Sequence, residues 1–497
     1  MKKLIKRNLI ANYAGQMWVA FIGLAFIPTY IKILGIEAYG IIGIFSVIQA
    51  WMFMLDMGMT PTLGREMASI QNNPASRQGV RDLLRTIEIL AVVLSVGVII
   101  LLALSASWIS AVWLKPAQIS KGTIVHSFQI MGIVVALRFL EGLYRSSLVG
   151  LQRQVLFNTV SAATATLRAV GAVVALKYIS PTLEMFFIWQ AIISLLSTLV
   201  LAACSYVYLP KAPLKAKFSV PSLKRVKNFA IGMIGVNIMT SIFTQSDKVF
   251  VSNQIELKSV GYYMLATTLS GSLFMLVGPI TQAYYPNFCR LHSEGNEKAL
   301  INSFRGGSNL VAIIVGSAAS ILSIFGSYIV LIWTDDVAMA QASGAILTLL
   351  AIGNLVNAIT WTPLQLQLAH GWTTLASRSM AVSLMLGAPL YFLLSNGYGA
   401  IGVASTWVFI NILYLAFVTS QMFKKIARGI RFQWMVSDTT YPILAAFITS
   451  YLCAKLYPSE VEKSMQIIFI FACGATVLLV ASAPTMLRVK NKFISQN

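Results

Sequence analysis

Apolar runs of roughly 18–25 residues recur from one end of this chain to the other. They fall at 9–31, 38–62, 83–105, 122–145, 154–178, 184–208, 228–250, 260–286, 304–326, 342–366, 373–394, 399–422, 440–456 and 465–484. Each is long enough to cross ~30 Å of hydrocarbon. Nothing in lipid can satisfy a backbone amide except the segment's own backbone, so the expected form is helical. The chain reads as an all-α polytopic membrane protein of about fourteen transmembrane helices. Composition closes the alternative. With 57% hydrophobic and 11% charged residues and a mean hydropathy of +0.76, the surface of a soluble domain would be too apolar to stay dispersed. The first run follows a basic start, as a signal peptide would, but continues past ~15 residues without a small-residue cleavage site. It is expected to be a retained first helix.

The net charge of +21 invites a nucleic-acid partner, and topology removes the need for one. With the N-terminus inside, 27 of the 37 basic residues fall on the inner side and seven on the outer. This positive-inside bias predicts cytoplasmic termini on both ends. Three cations remain within spans: Arg138, Arg168 and Lys248. Four cysteines carry no disulfide framework or metal spacing, and three histidines are too scattered in sequence for a metal cluster. No metal site and no cofactor are expected.

The chain divides into residues 1–210, a basic cytoplasmic linker at 211–227, residues 228–431, and 432–497 with two extra helices and a cytoplasmic tail. The two larger parts resemble each other. Asn8 precedes Gly40 of "EAYGIIGIF" by 32 residues, and Asn228 precedes Gly261 of "VGYYMLA" by 33. "PTLGR" ending at Arg65 matches "PNFCR" ending at Arg290, with the offset near 220–225 throughout. Six helices is an even number, so the repeats share one orientation. The expected architecture is two six-helix bundles related by a pseudo-two-fold along the membrane normal, with a pathway between them. Arg65 and Arg290, at the inner ends of equivalent helices, are candidates for a cytoplasmic gate or a phosphate contact.

The seventh run holds "TQSDKVFVSN", with Asp247 and Lys248 side by side. Neighbours on a helix project about 100° apart, so the two are not expected to face each other. Steps back from Lys248 pass Thr244, Ser241 and Asn237, a polar stripe that makes sense only against water or protein. The fourth run places Arg138, Glu141 and Arg145 on one face, where a single acid cannot neutralise two arginines. Arg168 has no acid in its own helix, and a lone arginine at mid-depth costs at least ~2.5–3.5 kcal/mol. Ser46, Gln49, Asp56 and Thr60 form a further stripe, and Asn354, Asn357, Trp361 and Gln365 another. A structural reading exists for each: ion-pair stripes, snorkelling of Lys248, amide glue between helices. Taken together, the charges left inside are mainly basic. They suit a substrate with an anionic head, and arginine's planar fork suits phosphate in particular.

The opening "NYAGQMWVAFIGLAFIPTYIKILGIEAYGIIGIF", the "SDKVFVSN" and "VGYYMLA" stretches, the "YYPNFCR" turn and the basic linker resemble the polysaccharide-unit flippases of O-antigen type. Their superfamily also holds multidrug extruders and lipid II flippases. The resemblance implies a non-enzymatic transporter of the bacterial cytoplasmic (inner) membrane that moves polyprenyl-diphosphate-linked oligosaccharides by alternating access. It further implies coupling to H+ or Na+, and a polysaccharide polymerase and chain-length regulator as partners beside membrane lipids. In that frame Arg138, Arg168, Lys248, Asn237, Ser241, Thr244, Asn357 and Trp361 would bind substrate. Asp56, Glu141 and Asp247 would take up the coupling ion. Lipid II flippases bring arginines into the first helix and many multidrug extruders an acid; Leu9 to Ile27 carries neither. A multidrug antiporter and a lipid II flippase remain as alternatives.

Overall fold

The computed structural model describes residues 2–56, 59–69, 77–210, 212, 214, 216–372, 374–458 and 461–494. Side chains at 2–11, 13, 53, 54, 61, 65, 68, 69, 222–237 and 486–494 lie outside that description. All regular structure among the described residues is helical. The first eight helices are α1 (Lys2–Ala25), α2 (Ile27–Leu34), α3 (Ile36–Leu55), α4 (Met59–Ser69), α5 (Arg77–Trp108), α6 (Lys121–Gly150), α7 (Gln154–Tyr178) and α8 (Leu183–Tyr208). Then come α9 (Val220–Gln254), α10 (Leu257–Gly271), α11 (Leu273–Ser293), α12 (Glu297–Ile324), α13 (Gly326–Thr334) and α14 (Val337–Ile359). The chain closes with α15 (Trp361–Ala369), α16 (Thr374–Lys425), α17 (Arg431–Gln433), α18 (Tyr441–Ala454) and α19 (Lys463–Ile494).

Ten helical segments among the described residues are long and apolar enough to cross a membrane. The difference from fourteen runs has identifiable sources. Run 38–62 is divided, leaving the shorter Ile36–Met52. Run 228–250 overlaps side chains outside the description. Run 440–456 yields α18, of 14 residues, preceded by a π-helical turn at Trp434–Thr440. Runs 373–394 and 399–422 both lie in α16, whose chain reverses at Gly399 (φ 54°, ψ −133°). That combination is open to glycine because it has no Cβ. The arms then lie side by side, with a Cβ added at Gly387 falling 2.2 Å from the Ile410 side chain.

Several runs are broken rather than continuous. The chain interrupts at Phe26 between α1 and α2, at Asp56 between α3 and α4, at Ser272, and at Thr360 between α14 and α15. Side chains recapture freed backbone groups, as membrane burial demands. Asp56 accepts from the Thr60 amide at 3.1 Å and from its hydroxyl at 2.5 Å, and the Thr360 hydroxyl donates to the Asn357 carbonyl at 2.6 Å. Helix starts at Ile36 and Leu257, Arg77 and Glu297, and Gln154 and Thr374 recur at the spacing of the sequence repeat.

Two compact units result: residues 1–245 with 256–261, and residues 246–255 with 262–497. In the first, α6 packs against α4, α5, α7 and α8, while α1 runs along α7. Lipid offers no hydrophobic drive for such contacts, so small residues that admit close backbones do the work. A Cβ at Gly150 would stand 2.4 Å from the Gly64 carbonyl oxygen and 2.7 Å from Met67 Cβ. Gly150→Ala is therefore expected to cost about 1–3 kcal/mol by overpacking, read as a lower thermal midpoint of the purified protein. In the second unit, α12 packs against α11, α14, α18 and α19, and α14 against α13 and α16. Over an apolar 18-residue stretch, α12 is 67% buried, whereas α19 is 17% buried.

Candidate functional site

Charge inside the first unit gathers where α6 supplies two polar residues and α3, α7 and α8 one each. Arg138 on α6 donates from Nη1 to Oε1 of Gln49 on α3 at 2.7 Å, and from Nη2 to Oε1 of Gln190 on α8 at 2.8 Å. Its guanidinium carbon lies 5.1 Å from the centre of the Phe45 ring, a cation–π distance. Phe45 is itself fixed edge-on against Phe187. Every one of these partners is neutral. Arg168 on α7 differs: its Nη2 meets Glu141 Oε2 on α6 at 2.6 Å, with the side chains 18% and 16% exposed. Gln190 links the two arginines, because its Nε2 also donates to the Arg168 carbonyl at 3.5 Å.

The spacing argument on α6 thus holds in part. Arg138 and Glu141 share a region, but the acid goes to Arg168 of the neighbouring helix, and Arg145 instead lies over the Phe157 ring at 5.0 Å. Two guanidiniums and one carboxylate leave the cluster with one uncompensated positive charge among the described residues. The Nε atoms of Arg138 and Arg168 are both buried without a hydrogen-bond partner there. Gln190 is the member that sequence reasoning missed. Its one signal was an amide within the apolar stretch "FFIWQAI".

A second cluster forms in the other unit. Asp247, 2% exposed, accepts from Lys248 Nζ at 3.2 Å and from the Tyr263 hydroxyl at 2.7 Å. The expectation that Asp247 and Lys248 would not face each other is corrected: a four-carbon stem lets the ammonium swing back to its neighbour's carboxylate. Ser246 meets the Tyr391 hydroxyl at 3.3 Å, and Phe250 stacks on Tyr391 with centroids 4.7 Å apart.

The remaining residues are placed as follows. The Thr244 hydroxyl donates back to the Thr240 carbonyl at 2.9 Å, and Ser241 is half-buried on the same helix. The Asn237 and Arg65 side chains lie outside the described residues. Asn357 donates to Asn411 at 2.7 Å and accepts from Trp361 Nε1 at 3.1 Å. Asn354 likewise accepts from Trp407, so these amides join α14 to α16 from buried positions. Trp361 stacks on Phe274. Arg290 is 63% exposed and contacts Asn287 on its own helix and Glu294 at that helix's C-terminal cap. Asp56 serves as the cap of α4 described above. Two of the histidines that looked scattered come together, His292 and His370, with ring centroids 4.0 Å apart.

The fold is one found in solved membrane transporters. The structure is similar to that of the lipid II flippase MurJ in its inward closed conformation, with a TM-score of 0.71 at 13% identity, covering 97% of this chain and 99% of that one. It is also similar to a multidrug resistance MATE family transporter of the MOP superfamily in an inward-facing conformation, with a TM-score of 0.60 at 13% identity over 84% and 94% of the two chains. The chain belongs to the polysaccharide biosynthesis protein family, whose model matches residues 31–336. It is also 22% identical over 425 residues to a Shigella flexneri protein described as "Putative O-antigen transporter", covering 84% of this chain and 98% of that protein. The resemblance to polysaccharide-unit flippases is upheld, and the chain is a multi-pass membrane transporter of that family.

Proposed function

We propose that this protein translocates polyprenyl-diphosphate-linked oligosaccharide units across the bacterial cytoplasmic membrane by alternating access. The fourteen apolar runs would cross as two six-helix bundles and a C-terminal pair, with both termini cytoplasmic. The observation that carries the reading is Arg138: a guanidinium deep in α6, held by neutral amides and a ring instead of an acid. Moving a diphosphate through bare hydrocarbon would cost many kcal/mol by desolvation. A cation kept charged inside the protein lowers that cost, and its fork suits phosphate oxygens. Arg168 would contribute through the donors that Glu141 leaves over. The buried Asp247, with Lys248 and Tyr263 on it, is the carboxylate we assign to uptake of a coupling proton or sodium ion. An organic-cation exporter would want the opposite sign at Arg138, which disfavours the multidrug alternative despite the shared fold.

Deleting the gene is the direct test. Lipid-linked glycan units are expected to build up on the cytoplasmic leaflet while surface polysaccharide is lost. Continued surface display from the deletion strain, or accumulation on the outer leaflet, would refute the flipping assignment.

A further inference from the structure

We propose that Gln49 and Gln190 are positioning residues that keep Arg138 charged for an oxyanion, an inference that rests on the anion-transport reading above. A guanidinium inside a membrane protein is ordinarily matched by a carboxylate, as Arg168 is by Glu141 at 2.6 Å. Arg138 has instead two amide oxygens at 2.7 and 2.8 Å, one on each Nη. Two acceptors on two different helices fix the plane of the fork without cancelling its charge. Gln190 also anchors to the Arg168 backbone, so both arginines are held in register from α8. The Nε donors of Arg138 and Arg168, buried and lacking acceptors among the described residues, are the groups an incoming phosphoryl oxygen would satisfy. A glutamate in place of either glutamine would have nearly the same shape and would neutralise Arg138. The amide therefore discriminates by charge, not by size: it admits an anion where a carboxylate would occupy the cation itself.

The test titrates inorganic diphosphate into the purified full-length protein in detergent micelles at fixed ionic strength, followed by calorimetry. Gln49→Glu and Gln190→Glu are each expected to weaken binding by about tenfold or more. Gln49→Met and Gln190→Met, close in size and neutral but without the acceptor oxygen, are expected to weaken binding by about threefold to fivefold, clearly less than the Glu variants. Each variant is carried forward on a single size-exclusion peak, and either position alone decides the point. Met variants that bind like the parent, Glu variants that bind like the parent, or equal losses in the two would overturn the proposal. A different result breaks the underlying reading: no diphosphate binding by the parent protein, or full binding by Arg138→Ala.

Discussion

Replacing Arg138 by alanine is expected to lower export of surface glycan by about tenfold or more while the protein still inserts and accumulates normally. The reason lies in what the substitution leaves behind. Gln49 and Gln190 lose a donor each, which costs about 1–3 kcal/mol for polar groups left unsatisfied, and no buried charge is orphaned. Arg168→Ala is a less clean experiment. It strands Glu141, 16% exposed and bonded to Arg168, and breaking such a pair costs about 3–5 kcal/mol. Loss of export in that variant would mix folding with function. The double variant Glu141→Ala/Arg168→Ala is expected to regain stability without regaining export. Quantifying surface glycan against membrane-fraction protein in a deletion strain reads both effects. Normal export by well-inserted Arg138→Ala would take that arginine out of the site.

Arg305→Ala is expected to be the most destabilising single change outside the candidate site. Arg305 on α12 makes two bonds to Asp438, from Nε to Oδ2 at 2.6 Å and from Nη2 to Oδ1 at 3.0 Å. Asp438 is 4% exposed against 22% for Arg305. Truncating the arginine takes two charge-assisted bonds away from a buried carboxylate, a loss of about 3–5 kcal/mol for breaking such a pair. Asp438→Asn keeps an acceptor for the guanidinium and should cost clearly less. Thermal unfolding of the purified protein measures the difference. Similar midpoints for Arg305→Ala and the parent would mean that water reaches Asp438.

The periodicity of apolar runs made the membrane fold legible, because each run must supply its own backbone hydrogen bonds. Hydropathy is blind to what happens within a run. Breaks at Asp56 and Thr360 leave the apolar character intact, while a carboxylate takes up a backbone amide at the first and a hydroxyl donates to a backbone carbonyl at the second. Pro28, Pro61 and Pro363, each in the first turn of the piece after a break, were the available sign. Among site residues, the shared face of Arg138 and Glu141 followed from helical spacing, but which arginine the acid would choose depended on the approach of α7. Gln190 had no neighbour in sequence to point to it. The Asn354 and Asn357 stripe shows the reverse: helical spacing grouped them correctly and could not say that α16 would cover them.

The polar character of α12 follows from its company. Gly307, Ser308, Asn309, Gly316, Ser317, Ser320 and Ser323 are all buried along it. Ser320 meets Ser450 of α18 at 2.7 Å, and Asn309 accepts from Thr485 of α19 at 2.7 Å. Apolar side chains of α18 and α19, Phe471 and Leu479 among them, are exposed. Packed on α12, the C-terminal pair helps keep these hydroxyls inside the protein and turns apolar side chains outward on its own exposed faces. Stripping away the pair would turn a packed inner strut into a lipid-facing one with the wrong chemistry, so its loss should be felt first in α12.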